Sequence, residues 1–164
     1  MTRYVMMGVS GCGKSLIGQA FATAIGARFI DGDSLHPQAN IAKMRRGEPL
    51  DDHDRAPWLD QVGAALIMPG TVIACSALKR VYRDRIRGMA QAPVTFLYLR
   101  GKYETLRNRM SSRPGHFMPT ALLDSQLATL EPPAKDEPHL TADIEQTPDQ
   151  IVALFVTGLK ERPA

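Results

Sequence analysis

Gly8-Val9-Ser10-Gly11-Cys12-Gly13-Lys14-Ser15 is the stretch that decides how this chain reads. Before it runs Arg3-Tyr4-Val5-Met6-Met7, a short apolar segment with the character of a buried strand. After it, from Leu16 to Ile25, apolar residues recur at helical spacing. Strand, glycine-rich turn and helix, in that order, frame a cradle for a phosphate chain. Such a cradle needs several backbone N–H groups aimed at one point with no side chain in the way. Gly8, Gly11 and Gly13 permit the positive φ angles and close approach involved, and Ser10 and Cys12 complete the loop. The new helix turns its positive dipole end and its free N–H groups toward the same anion. Lys14 is expected to reach the β- and γ-phosphates, and the Ser15 hydroxyl to ligate Mg²⁺. The chain is therefore expected to bind a nucleoside triphosphate.

Outward from this loop, strands and helices alternate, which argues for a parallel sheet covered on both faces. Gly26 stops the first helix before a short strand at Arg28-Phe29-Ile30. Pro37 to Arg46 reads as a helix broken by Gly47-Glu48-Pro49, and a second helix runs from about Asp54 to Ile67 with Pro57 in its first turn. Thr71 to Cys75 and Val94 to Leu99 are buried-type strands flanking an Arg-rich helix from Lys79 to Met89. Lys102 to Met110 is helical, and Pro119 starts a helix to about Leu130. A weak last strand at Leu140 to Ile144 precedes a closing helix from Pro148 to Leu159. Two polar segments exceed what a minimal strand–helix–strand unit needs: an insert over about residues 31–69 and a loop over about 109–118. In a phosphoryl-transfer enzyme these serve as an acceptor-binding segment and a closing lid, because the γ-phosphate must be kept from water until the acceptor arrives.

At 164 residues the chain is expected to form a single domain, 1–164. A content of 44% hydrophobic and 23% charged residues is that of an ordinary folded chain. No apolar run approaches the roughly 20 residues of a membrane span, and the start lacks the shape of a signal peptide. A cytoplasmic location follows, with no membrane partner. Cys12 and Cys75 suggest neither a CxxC pair nor a disulfide framework, and the four histidines lack zinc-ligand spacing. The net charge of +3 is modest and its arginines are scattered, so no nucleic-acid partner is read, although the balance suits anionic ligands.

Asp31-Gly32-Asp33 stands at the carboxyl end of the second strand, where ligands of open parallel sheets bind. Asp33 is the candidate base that hydrogen-bonds an acceptor hydroxyl. Asp31 is placed nearer the Mg²⁺ shell, through water, with turn capping as its plainer use. The third strand ends Ala74-Cys75-Ser76, without the aspartate that switches and motors use to hold Mg²⁺, and no Asn-Lys-x-Asp guanine signature occurs. A GTPase or motor is disfavoured, and a small-molecule kinase fits.

Asp31-Gly32-Asp33-Ser34-Leu35-His36-Pro37 with Asn40, Lys43-Met44, Gly47, Pro49-Leu50, Asp52, Asp54-Arg55 and Pro57-Trp58-Leu59 resembles the gluconokinase family. Cys75-Ser76-Ala77-Leu78-Lys79-Arg80, Tyr82-Arg83-Asp84, His116-Phe117, Gln126 and Thr129-Leu130-Glu131 extend that resemblance over nearly the whole chain. It implies an α/β three-layer P-loop kinase fold, with a five-stranded parallel sheet in the order 2-3-1-4-5 shared with shikimate and nucleoside monophosphate kinases. It further implies transfer of the γ-phosphate of ATP to the 6-hydroxyl of D-gluconate. Members of that family are often homodimers, and no residue pattern here bears on assembly.

The residues suit such an acceptor. Arg55, Lys79 and Arg83 are candidate contacts for a planar carboxylate, and His36, Asp33 and Ser76 for hydroxyls. Trp58 is either a wall of the pocket or simply core. Of Lys79, Arg80, Arg83, Arg85 and Arg87, two or three are expected to be no more than a solvated face. By analogy with the related kinases, Arg109 is expected to stack over the adenine and Arg113 to meet the phosphates on closure, while His116 is a candidate to close over the acceptor. The residues alone leave open a kinase for another sugar acid or for shikimate, a nucleotide-binding regulator without turnover, and a structural or interaction module that merely kept the loop.

Overall fold

A computed structural model describes residues 3–112 and 120–160. Its strands are β1 (Arg3–Met7), β2 (Arg28–Asp31), β3 (Thr71–Ala74), β4 (Thr95–Arg100) and β5 (His139–Asp143). All pair in parallel in the order β2-β3-β1-β4-β5, as the sequence resemblance implies. The helices are α1 (Lys14–Ile25), α2 (Gln38–Arg45), α3 (Asp52–Ala65), α4 (Arg80–Ala90), α5 (Tyr103–Ser111), α6 (Thr120–Thr129) and α7 (Pro148–Lys160).

The period of two along each strand sorts the core into two layers. Tyr4 and Met6 of β1, with Leu97 and Leu99 of β4, face Phe21 of α1 and Phe155 of α7. Val5 and Met7, with Phe96 and Tyr98, face Trp58 and Val62 of α3 and Ile86 of α4. Tyr4, Phe21 and Phe155 meet edge to face, at centroid separations of 5.3 and 6.2 Å. Each fully buried large apolar side chain contributes about 1.5–3 kcal/mol, so this doubly covered sheet is a stiff platform. Its carboxyl edge carries the site.

Two local departures from expectation bear on that site. α3 begins at Asp52 rather than near Asp54, because Asp51 caps it: the Asp54 N–H donates to Asp51 Oδ1 (2.7 Å), and Asp54 Oδ2 accepts from the Asp51 N–H (3.0 Å). Pro57 consequently lies in the second turn, where it withholds an N–H from the His53 carbonyl. A 3₁₀ turn, Gly32–Leu35, also follows β2 directly. It lies so tightly on β3 that a Cβ at Gly32 would stand 2.3 Å from the Ala74 carbonyl oxygen.

Candidate active site

β1 delivers the loop of residues 8–13 and α1 starts at Lys14. Gly13 takes the left-handed conformation (φ 93°) that launches the helix, and its carbonyl accepts from the Ile17 N–H (2.9 Å). Lys14 folds its ammonium over the loop onto the Val9 carbonyl (3.2 Å). The Ser10 N–H is held by Gln126 Oε1 of α6 (2.7 Å), and Gly8 N–H reaches the Ser76 carbonyl (3.3 Å), which joins the loop to the end of β3. Cys12 is fully buried, and burial pushes its thiol above the ordinary value, so this residue offers a ligand its backbone rather than its sulfur.

Beside the loop opens a cavity of about 430 Å³ whose lining includes Gly11, Gly13, Leu16, Arg109 and Pro148. Arg109 is fixed there by donating to the Ile144 carbonyl (2.9 Å). Arg113 and His116, and with them most of the expected lid, lie outside the described residues.

Asp31 does two things at once. Oδ1 accepts from the Asp33 N–H (3.0 Å) and caps the 3₁₀ turn, while Oδ2 accepts from the Ser15 hydroxyl (3.3 Å). A hydroxyl and a carboxylate oxygen therefore stand side by side at the start of α1. That donor set fits Mg²⁺, which keeps several waters and takes few protein ligands. No three metal-binding side chains cluster among the described residues.

The candidate acceptor corner lies beyond the carboxyl ends of β2 and β3. Asp33 is exposed at its mouth. His36 stacks on Trp58 at 4.1 Å and 14°. The Trp58 Nε1–H donates to the Gly32 carbonyl (2.8 Å), so this tryptophan is both core and wall. Burial pushes the His36 pKa below its ordinary value; Asp33 draws it back up and Arg55 presses it further down. Arg55 and Lys79 each lie over the Tyr82 ring, at 5.6 and 5.5 Å from its centroid. Arg55 Nη1 donates to the Tyr82 hydroxyl (3.3 Å), the hydroxyl donates to Asp52, and Lys79 pairs with Asp52 at 3.4 Å. That hydroxyl, ahead of the nearby cations, holds the Asp52 carboxyl below the usual carboxylate range. Two cations thus share one carboxylate, leaving positive charge for an incoming anion.

Arg83 corrects the sequence reading: it does not face the acceptor. Its side chain is fully buried, with Nε and Nη2 on Glu137 (2.8 and 3.0 Å) and Nη1 on the Ala77 carbonyl (2.9 Å). Glu137 also accepts from the Ala134 N–H and from Arg87. Burial raises its carboxyl, but these hydrogen bonds outweigh that and hold it at about 2. Arg80 and Arg85 sit in exposed pairs with Asp136 and Asp60. Of the five cations from 79 to 87, Lys79 alone joins the acceptor corner. Asp52, Tyr82 and Asn40 are additions to the site. Asn40 had a local signal, its spacing of four from His36.

A family model described as an AAA domain matches residues 4–133. The gluconokinase of Gluconobacter oxydans is 46% identical over 156 residues, covering 90% of this chain and 85% of that protein. The thermoresistant gluconokinase of Escherichia coli is 43% identical over 164 residues, covering 96% and 93%. The crystal structure of a gluconokinase from Sinorhizobium meliloti superposes with a TM-score of 0.90 at 46% identity, covering 97% of this chain and 91% of that one. With likeness of this degree along nearly its whole length, the chain belongs to the gluconokinase family of P-loop kinases.

Proposed function

We propose that this chain transfers the γ-phosphoryl group of ATP to the 6-hydroxyl of D-gluconate, yielding 6-phospho-D-gluconate and ADP. The observation that carries this reading is the two-cation cluster of Arg55 and Lys79 over Tyr82, in a chain that carries a phosphate loop and is so similar to named gluconokinases. A linear sugar acid needs a cation for its carboxylate and hydrogen-bonding groups along its hydroxyls, and the corner supplies both. Asp33 orients the acceptor hydroxyl and takes its proton as the new O–P bond forms and the bond to the β-phosphate oxygen breaks. Lys14 and the loop N–H groups neutralise charge on the phosphates, and Arg113 joins them on closure. Arg109 packs on the adenine. Ser15, with Asp31 through water, would hold Mg²⁺, whose charge would offset that developing on the phosphates. Ser76, His36 and His116 contact the acceptor.

The chain acts as one unit, 1–164, with residues 31–69 as acceptor segment and 109–118 as lid. It works in the cytoplasm on small molecules, with neither nucleic acid nor membrane as partner, and a homodimer is the assembly that the family implies. No helix among the described residues is long and apolar enough to cross a membrane. The test is ADP release from Mg·ATP with D-gluconate, shikimate or a nucleoside monophosphate as acceptor. Stimulation by gluconate alone is expected; no stimulation by gluconate overturns the reading.

A further inference from the structure

Asn40 is buried (5% exposed), an uncommon place for an amide side chain, and it joins three elements. Its side-chain nitrogen donates to the Asp54 carbonyl of α3 (2.9 Å) and lies 3.2 Å from Nδ1 of His36, which follows the 3₁₀ turn. A backbone carbonyl can only accept, so the atom facing it must be the NH₂ group and not the amide oxygen. The second hydrogen of that NH₂ then points at Nδ1, which must present a lone pair. In the neutral ring the proton therefore resides on Nε2.

We propose that Asn40 is a positioning residue that fixes His36 as the Nε2–H tautomer, so that the imidazole meets the acceptor as a hydrogen-bond donor. The inference deepens the gluconate reading and rests on it for the identity of the acceptor. The ring plane is already set by stacking on Trp58, whose own Nε1–H is tied to the Gly32 carbonyl. Asn40 adds the one thing stacking cannot supply, the choice of which nitrogen carries the proton. Behind Asn40, Asp54 is held by Lys43 (2.5 Å) and by the cap with Asp51, so the carbonyl that orients the amide is itself anchored. The charged groups facing the ring are Asp33 from the 3₁₀ turn and Arg55 from α3, and burial pushes the ring's pKa below its ordinary value, which favours the neutral form. Nε2 has no protein partner among the described residues. The corner thus pairs a donor, His36 Nε2–H, with an acceptor, the Asp33 carboxylate, and an alcohol can satisfy both.

The test begins without substrate. Imidazole ¹⁵N shifts of the full chain, with His36 assigned by its disappearance in His36→Gln, are expected to show a protonated Nε2 and a bare Nδ1. A protonated Nδ1 in the neutral ring overturns the proposal, whatever the acceptor turns out to be. Kinetics supply the second arm. Gln at 36 can place an amide N–H near the Nε2 position, whereas Asn mimics Nδ1. His36→Gln is expected to hold KM for gluconate about five- to tenfold below that of His36→Asn, the scale of one hydrogen bond. Equal KM values in the two variants overturn the proposal. In Asn40→Asp the new carboxylate accepts from Nδ1–H, so the neutral ring turns a bare Nε2 to the acceptor and only the imidazolium keeps the donor. KM for gluconate is then expected to rise with pH through the His36 titration, with kcat less affected, where wild type stays flat. A flat KM in a folded Asn40→Asp contradicts the proposal. Failure of wild type to use gluconate defeats the functional reading instead, and the tautomer is still read from the shifts.

Discussion

The phosphate loop and the acceptor corner lie side by side at the carboxyl edge of one sheet, yet they are made of different material. The loop is backbone: glycines that bend the chain, main-chain N–H groups tied to Gln126, Ser76 and Val9, and a lysine folded back onto the Val9 carbonyl. The corner is side chain: a histidine stacked on a tryptophan, and two cations over a tyrosine that is tied to an aspartate. A backbone device depends on neighbours a few residues away. The corner depends on pairings between the 3₁₀ turn, α3 and α4, elements that meet only in the folded chain. Arg55 and Arg83 illustrate the consequence. Both are helical arginines, both read in sequence as contacts for a carboxylate, and tertiary pairing gives one to the corner and the other to Glu137.

The strongest challenge to this contrast comes through Glu137. Removing one partner of a buried ion pair costs about 3–5 kcal/mol, so Glu137→Ala is expected to lower unfolding stability in urea by that amount with no specific rise in the gluconate KM. A raised KM at unchanged stability would return Arg83 to the acceptor site. The same pair sets an acid limit. The Glu137 carboxyl is held at about 2 against an ordinary 4.5, so its stabilisation is complete above about pH 4.5 and is lost as pH falls toward 2. Stability measured across that window should fall less steeply in Glu137→Gln.

Lys14→Ala probes the other region. With Lys14 in the role proposed for it, neutralising charge on the phosphates, its loss is expected to cost about 10²–10³ in kcat, with circular dichroism and the unfolding midpoint unchanged; turnover near wild type would sink the role given to the loop. Trp58→Phe is a smaller change. It deletes the hydrogen bond to the Gly32 carbonyl, a loss of about 0.5–1.5 kcal/mol in stability, and loosens the wall behind His36. A gluconate KM that stays put while stability falls would make Trp58 core alone.

These differences explain what could be read in the sequence. Gly8 to Ser15 was legible because a strand, a tight turn and a helix start are local events, and β1 to α1 formed as read. The strand order came from resemblance, since nothing in a strand's own residues states its neighbour. Asp31 has two readings, turn cap and Mg²⁺ neighbour; Oδ1 does cap the turn, and Oδ2 accepts from the Ser15 hydroxyl. The start of α3 was misplaced by two residues because the capping pair of Asp51 and Asp54 outweighed the proline that comes after it. Arg83 was illegible for a different reason: its partner is 54 residues away, in a connection marked only by prolines.

If labour is divided in this way between loop and corner, Arg55→Ala must separate the two. Initial rates over a matrix of ATP and gluconate concentrations resolve both KM values. The gluconate KM is expected to rise about tenfold or more, the loss of a hydrogen bond to a charged group, with the KM for ATP where it stands in wild type. Equal shifts in both, or a shift confined to ATP, would contradict the division.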